Sequence, residues 1–179
     1  MNWFANATVG AATTSTPATA RRRRRTRAPA PRLRSLVNRE ATLGTLTLRL
    51  DGPHGLRAEG AHGDVVQGVR VAGKRVCELT RLAVADGATS RAVLAALFNL
   101  AYAAADTLHG VTDVFIEVNP RHVAFYSRIL GFVAVTGETF CERVRAPSVL
   151  LHVEMTALGG RLRGLARRAS LPPVLVRVA

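Results

Sequence analysis

The chain has 179 residues and 48% hydrophobic side chains, enough for one domain of ordinary size plus tails and a core of its own. No run approaches the roughly 18 uninterrupted apolar residues of a membrane-spanning helix, and the arginines follow the start instead of leading it, the reverse of a secretory signal. The net charge of +13 sits at the two ends: residues 1–40 hold nine Arg against Glu40, residues 158–179 hold five Arg and no acid, and 41–157 hold eleven basic and eleven acidic residues. The excess therefore describes two tails and bears on solubility or anionic partners, not on the folded chemistry.

Residues 1–40 lack hydrophobic period and are broken by Pro17, Pro29 and Pro31, so they are expected to be a disordered Arg-rich extension, with the composition also open to a transit peptide or a misplaced start. Arg21 to Arg25 could touch RNA, DNA or anionic lipid, but the composition favours a solvated extension, and nucleic acid is expected only through the Arg-rich tails if at all. The alternation in TLGTLTLRLDG predicts a strand ending at Asp51-Gly52-Pro53. From there to Gly73 the glycines predict a flexible polar loop. Asp51, His54, Glu59, His62 and Asp64 gather in it, but Gly52, Gly55, Gly60 and Gly63 leave nothing to preorganise a metal site, so none is expected.

Arg75 to Val84 predicts a second strand. After Asp86-Gly87, Thr89 or Ser90 opens a helix whose Val93, Leu97, Leu100, Ala104 and Leu108 recur at three and four, up to Gly110. In VTDVFIEVNPRHVAFYSRILGF, Val114, Ile116 and Val118 alternate with Asp113, Phe115 and Glu117, the period of a strand. Asn119 then caps, Pro120 opens a helix, Val123, Tyr126, Ile129 and Leu130 share one face, and Gly131 stops it. Ala134 to Arg145 and Ser148 to Met155, separated by Pro147, predict two final strands. Gly159-Gly160 then breaks the chain before a basic tail in which RLRGLARRA has the pattern of a short helix. Cys77 and Cys141 fall in predicted strands without any CxxC pair, so buried reduced thiols are expected.

The strand–capped turn–helix unit ending in Gly131-Phe132, with Tyr126 on its helix, resembles the last such unit of the GNAT superfamily of N-acyltransferases. CELTRLAV at Cys77–Val84 and VNPRHVAFY together are similar to one branch, the bacterial long-chain N-acyl amino acid synthases of FeeM type, relatives of the acyl-homoserine lactone synthases. Glu78 and Arg81 stand in the spacing of the Glu-x-x-Arg strand motif of those lactone synthases. The likeness covers roughly Thr42 to Met155. It implies an α/β (α+β) GNAT-like fold with a central mixed sheet flanked by helices. The first third, which in family members helps form the acceptor pocket, is expected to be missing, the Arg-rich segment standing in its place, so that the start is misplaced, the chain is a fragment or the acceptor site is built differently. The expected division is thus 1–40 extension, 41–157 acyltransferase domain, 158–179 basic tail.

The resemblance further implies acyl transfer from a thioester to an amine, with the pantetheine arm lying where two parallel strands, Arg75–Val84 and Val111–Val118, part. Backbone amides of Leu82, Ala83 and Val84 would face the thioester oxygen, and Tyr126 would protonate sulfur, since a phenol donates at neutral pH. Glu78 is the expected base, because burial in an apolar strand raises a carboxyl pKa. Strict alternation puts Glu78, Thr80 and Leu82 on one face and Arg81 on the other, so an ion pair between Glu78 and Arg81 would need a bulge. The family's Gln/Arg-x-x-Gly-x-Gly/Ala pyrophosphate loop is not visible in ADGATSR at Ala85–Arg91. That points to acyl-phosphopantetheine on acyl carrier protein, with acyl-CoA as the other donor and no tightly bound cofactor. Lys74, Arg75 and Arg91 are expected near the cleft mouth as contacts for that acidic partner, and Asn119 as a contact for the donor arm. The acceptor is expected to be an amino acid and the protein cytoplasmic. A lactone-synthase-like enzyme using S-adenosylmethionine, or a non-catalytic module binding acyl carrier protein or nucleic acid through its Arg tails, are the alternatives.

Overall fold

The computed structural model describes residues 33–37, 42–85, 90–168 and 175–178. In chain order these form β1 (Leu33–Val37), β2 (Thr42–Leu50), α1 (Glu59–Val71), β3 (Val76–Val84) and α2 (Ser90–Ala103), the last continued by a π-turn over Ala104–Leu108. Then follow β4 (Asp113–Val118), a 3-10 turn Pro120–His122, α3 (Val123–Leu130), β5 (Val133–Ala134), β6 (Thr139–Cys141), β7 (Ala146–Glu154), α4 (Met155–Arg168) and β8 (Leu175–Val178). The strands make one mixed sheet in the order β5-β7-β4-β3-β2-β1-β8, with β6 paired to β7. Within it β3 and β4 run parallel and the other pairs antiparallel.

Each side of the sheet buries its own apolar set. On one, Leu46, Leu48, Cys77, Leu79, Val114, Ile116, Val149, Leu151 and Val153 pack under α2, α3 and α4. On the other, Val76, Phe115 and Leu150 pack under Leu56, Ala58 and Val66 of the loop and helix α1. Fully burying each such Leu, Val or Phe contributes about 1.5–3 kcal/mol. Gly44 lets α2 close on β2: a Cβ there would lie 2.9 Å from the Ala83 carbonyl oxygen and 3.0 Å from Val93 Cγ1. Gly44→Val is therefore expected to cost about 1–3 kcal/mol in chemical denaturation, because main chain on one side cannot yield. An unchanged midpoint would show that α2 does not press on β2.

Several expectations change on folding. The glycine-rich stretch expected as a loop contains the 13-residue helix α1, kinked at His62 (φ −136°, ψ 32°). Its Val65, Val66 and Val69 lie against the sheet, so tertiary burial outweighs the low helix propensity of Gly60, Gly63 and Gly68. Asp51 and Glu59 from the same stretch both pair with Arg70, while His62 Nε2 meets Thr139 Oγ1 at 3.4 Å. Leu108 is 73% exposed because the π-turn rotates the end of α2 off its earlier face and buries Ala105 in its place. Pro147 lies inside β7, at the end where it meets β6, instead of separating two strands.

The chain ends also differ from expectation. Gly159-Gly160 does not break the chain: α4 runs through it, burying Leu158 and Leu162 beyond the boundary expected at residue 157. A Cβ at Gly159 would lie 2.6 Å from Tyr102 Oη, so this glycine marks a close approach of α4 to α2. The stretch expected to be disordered contains β1, and the expected tail contains β8; both owe their order to pairing with each other and with β2, which no local pattern announces. Arg21 to Arg25 lie outside the described residues, as do Asp86-Gly87 and Thr89. No described helix is long and apolar enough to cross a membrane.

Candidate active site

β3 and β4 pair through three rungs, Val76 with Asp113, Cys77 with Val114 and Glu78 with Phe115, and then part. Two local features end the ladder. On β3, Arg81 takes a positive φ of 54° and the register against β2 slips between Thr45 and Thr47, so Arg81 and Leu82 together oppose Leu46 in a β-bulge. On β4, the Asn119-Pro120 turn takes the chain away, with Asn119 Oδ1 accepting from the Arg121 amide at 3.2 Å and Pro120 at the first helical position. Between the parted strands opens a cleft of about 490 Å³. Its walls include Leu79 to Leu82 of β3, Ile116 to Val118 of β4 and Asn119 just after it, Leu94 and Phe98 of α2, and His122, Phe125 and Tyr126.

Tyr126 reaches the cleft from α3 and is clamped edge-to-face by Phe98, Phe125 and Phe132. Burial pushes its phenol up from its ordinary range, so the hydroxyl stays protonated at neutral pH. Gly131 ends α3 in the left-handed conformation (φ 79°), as its position after Leu130 predicts, and turns Phe132 back into the core beneath Tyr126.

Glu78 occupies the last paired rung, on the α1 side of the sheet, and is fully buried. Its Oε2 accepts the Arg57 amide at 2.6 Å, while Oε1 is buried with no partner among the described residues. Burial pushes its carboxyl up, with the Arg57 and Ala58 amides and the Arg143 charge opposing. The bulge does not bring Arg81 onto Glu78: Arg81 lines the cleft and is exposed. What the bulge changes is the face of Leu82. Strict alternation places it with Glu78, but the extra residue sends it to the opposite core with Leu79.

Beyond the rung of Glu78, the main chain of β3 at Leu82, Ala83 and Val84 has no pairing with β4 on its inner edge. Asn119 stands at the cleft rim, its Nδ2 donating to the Pro147 carbonyl at 3.3 Å. Arg91 falls in the first turn of α2, and its side chain lies outside the described residues. Lys74 and Arg75 are not near the cleft mouth. They precede β3, whereas the strands part at its far end, and Arg75 Nε donates to the Gly110 carbonyl.

Glu117 is a site residue that strand alternation alone does not single out. It lines the cleft two residues beyond Phe115, accepts from Ser148 Oγ at 2.9 Å and pairs with Arg143 Nη2 at 2.5 Å. Burial pushes its carboxyl up, but hydrogen bonds from Cys141, Ser148 and Arg143 outweigh burial and hold it below the usual carboxylate range. The signal available in the sequence was an acid in an otherwise apolar central strand. Cys77 and Cys141 are buried free thiols, and burial, reinforced by the charges of Glu78 and Asp113, pushes Cys77 far up and leaves it inert.

A second, mostly apolar cavity of about 330 Å³ lies between α2, α3 and α4. It is lined by Leu94, Ala95, Phe98, Phe125, Ile129, Leu130 and Leu165 and shares Leu94, Phe98 and Phe125 with the cleft.

This architecture is similar to that of FeeM, an N-acyl amino acid synthase from uncultured soil microbes, with a TM-score of 0.64 and 25% identity over 71% of this chain and 74% of that one. It is also similar to BjaI, a CoA-dependent acyl-homoserine lactone synthase solved with MTA (TM-score 0.48, 16% identity, 76% of this chain and 63% of that one). A third similar structure is an acyl-CoA N-acyltransferase from Pseudomonas aeruginosa (TM-score 0.44, 20% identity, 66% and 64%). No curated protein matches the sequence. The family model of the N-acyl amino acid synthase FeeM matches residues 12–154, and with the parted parallel strands of a GNAT fold this chain belongs to that family of N-acyltransferases.

Proposed function

We propose that the protein transfers a long-chain fatty acyl group from acyl carrier protein to the amine of an amino acid, in the cytoplasm. The observation that supports this most directly is the pairing of β3 with β4 only as far as Glu78 and Phe115, with a cleft beyond whose wall holds Tyr126. A thioester-bearing arm entering that gap can pair with the unpartnered inner edge of β3 at Leu82–Val84, whose amides then polarise the thioester oxygen. Asn119 at the rim is the contact for the arm on the opposite strand.

Glu78 takes a proton from the ammonium. The amine nitrogen forms the new amide bond with the thioester carbon, the carbon–sulfur bond breaks, Tyr126 gives its hydroxyl proton to the leaving thiolate, and the second proton lost by the nitrogen restores the phenol through water. Because Glu78 lies beneath the segment carrying the Arg57 and Ala58 amides, its Oε1 is reached through a bridging water or a shift of that segment. Arg81 serves at the rim as a cation, not as the ion-pair partner of Glu78. The apolar cavity beside the cleft suits an alkyl chain, since its walls offer carbon with no charge to satisfy. Preference for the carrier protein over CoA follows from the absence of a pyrophosphate loop in Ala85–Arg91, together with an arginine, Arg91, at the start of α2.

Incubating the full chain with long-chain acyl carrier protein and mixed amino acids is expected to yield N-acyl amino acids detectable by mass spectrometry. In a Leu94→Trp variant, which fills the wall common to both cavities, the product distribution is expected to move to shorter chains. No N-acyl product from either the carrier protein or acyl-CoA would overturn the assignment. Unchanged chain length in the variant would remove the alkyl site.

A further inference from the structure

Around Glu78 the chain brings together arginines that carry no proton in the transfer chemistry. Arg57 belongs to the segment before α1, Arg143 to the turn after β6, Arg49 to β2 directly opposite Glu78, and Arg81 to the bulge. Arg143 ties two of the walls together: its Nη1 donates to the Arg57 carbonyl at 3.2 Å and its Nη2 to Glu117. Arg49 is held by the carbonyls of Gly55 and His54 at 2.8 and 3.3 Å. The guanidinium of Arg57 has no acidic partner among the described residues. Burial, and then the charges of Arg81, Arg143 and Arg49, push it below its usual range, with Glu78 opposing, so each of these arginines stands within electrostatic reach of Arg57.

Glu117 offsets Arg143, but Arg57 and Arg81 have no acidic partner among the described residues; like charges so placed destabilise the empty site, and an anion relieves them. At the edge of the same cluster lies the opposite demand: Glu78 Oε1 is fully buried and has no hydrogen-bond partner among the described residues. The Arg57 amide binds the other oxygen of that carboxyl, so a single residue joins the two halves. A ligand that satisfies both must carry a cation and an anion a few bonds apart.

We propose that this cluster is the acceptor-recognition site, in which Arg57, Arg81 and Arg143 hold the α-carboxylate of a free α-amino acid while its ammonium faces Glu78. The inference rests on the acyltransferase reading and deepens it, by making the carboxylate a requirement for the acceptor. A carboxylate fits better than the phosphate of the donor arm. Arg57 and Arg143 stand on the Glu78 side of the parted strands and Arg81 at the cleft between them, whereas Tyr126 and the apolar cavity, which receive the donor, stand under α2 and α3. Planar guanidinium groups match carboxylate geometry in pairs, which selects for two oxygens in one plane.

Direct binding separates this proposal from the catalytic one. Ligand-observed NMR on the full chain, with no acyl donor present, would use each of the common L-amino acids, the corresponding decarboxylated amines, and phosphopantetheine as probes. At least one amino acid is expected to bind, and about 10-fold or more tightly than its decarboxylated amine, the weight of one charged hydrogen-bonded contact. Arg57→Gln and Arg81→Gly are each expected to reduce that affinity by a similar factor without weakening amine binding, the glycine being compatible with the positive φ at position 81. Arg163→Gln on exposed α4 serves as the control. Equal binding of acid and amine, no binding of any amino acid, retained affinity in both variants, or competition by phosphopantetheine for the same arginines would each overturn the proposal. Failure of the acyltransferase reading shows differently, as amino-acid binding intact with no N-acyl product from any donor.

Discussion

Glu78→Gln is expected to lower kcat by about 10²- to 10⁴-fold, the range for losing a positioned general base. The amide keeps the size of the side chain and can still accept the Arg57 amide, so the fold should survive. In the wild type, kcat/KM should rise with pH through the elevated pKa of Glu78, because only the ionised carboxylate accepts a proton; in the variant that limb should vanish. Stability gives a second readout with a determined sign. Burial raises the folded-state pKa above the unfolded value of about 4.3, so between the two values the folded protein binds more protons than the unfolded chain. Stability attributable to Glu78 is therefore complete below the unfolded pKa and is lost as pH rises through the folded one. Chemical denaturation across that interval should show a decline in the wild type and none in Glu78→Gln. A variant with full turnover would remove Glu78 from the chemistry, even if the stability profile behaved as described.

Tyr126→Phe is expected to lower kcat by about 10²-fold with little change in KM, because the proton for the departing thiolate is needed only as the carbon–sulfur bond breaks. The melting temperature should hold, since the ring contacts with Phe98, Phe125 and Phe132 do not involve the hydroxyl. The discriminating measurement varies the leaving group. An aryl thioester, whose thiol is more acidic, needs less protonation, so the deficit of the variant should shrink with it. An equal deficit on alkyl and aryl thioesters would mean that the tyrosine shapes the cleft without moving a proton.

Glu78 and Tyr126 are both legible in the sequence, for different reasons. Tyr126 stands in a segment whose boundaries are local: Asn119 caps, Pro120 opens, Gly131 closes in the left-handed conformation, and the intervening period has one buried side. Glu78 was visible as a carboxylate in an apolar strand, and its burial follows from that strand being central. Glu117 had the same signature, yet its engagement with Arg143 and Ser148 depends on a turn and a strand that lie 26 and 31 residues further on. Helix α1 was hidden because its glycines lower local helix preference, while the burial of Val66 against Phe115 and Leu150 that secures it is non-local. The opposite error occurred at Gly159-Gly160, where a pair read as a break is the space that Tyr102 fills.

The succession of strand, helix, strand and helix from β3 to α3, the capped turn at Asn119-Pro120, the buried thiols and the neutrality of the middle segment were set by the sequence alone, because each depends on side chains within a few positions of one another or on simple counting. The parting of β3 from β4, the bulge that moves Leu82 to the other face and leaves Arg81 at the cleft, the removal of Lys74 and Arg75 to the opposite end, and the meeting of Arg57 with Arg143 were decided only in three dimensions. Register between strands and the convergence of separate loops are properties of pairs far apart in the chain. Such pairs acquire an energy only once the sheet has closed and water has left its two faces.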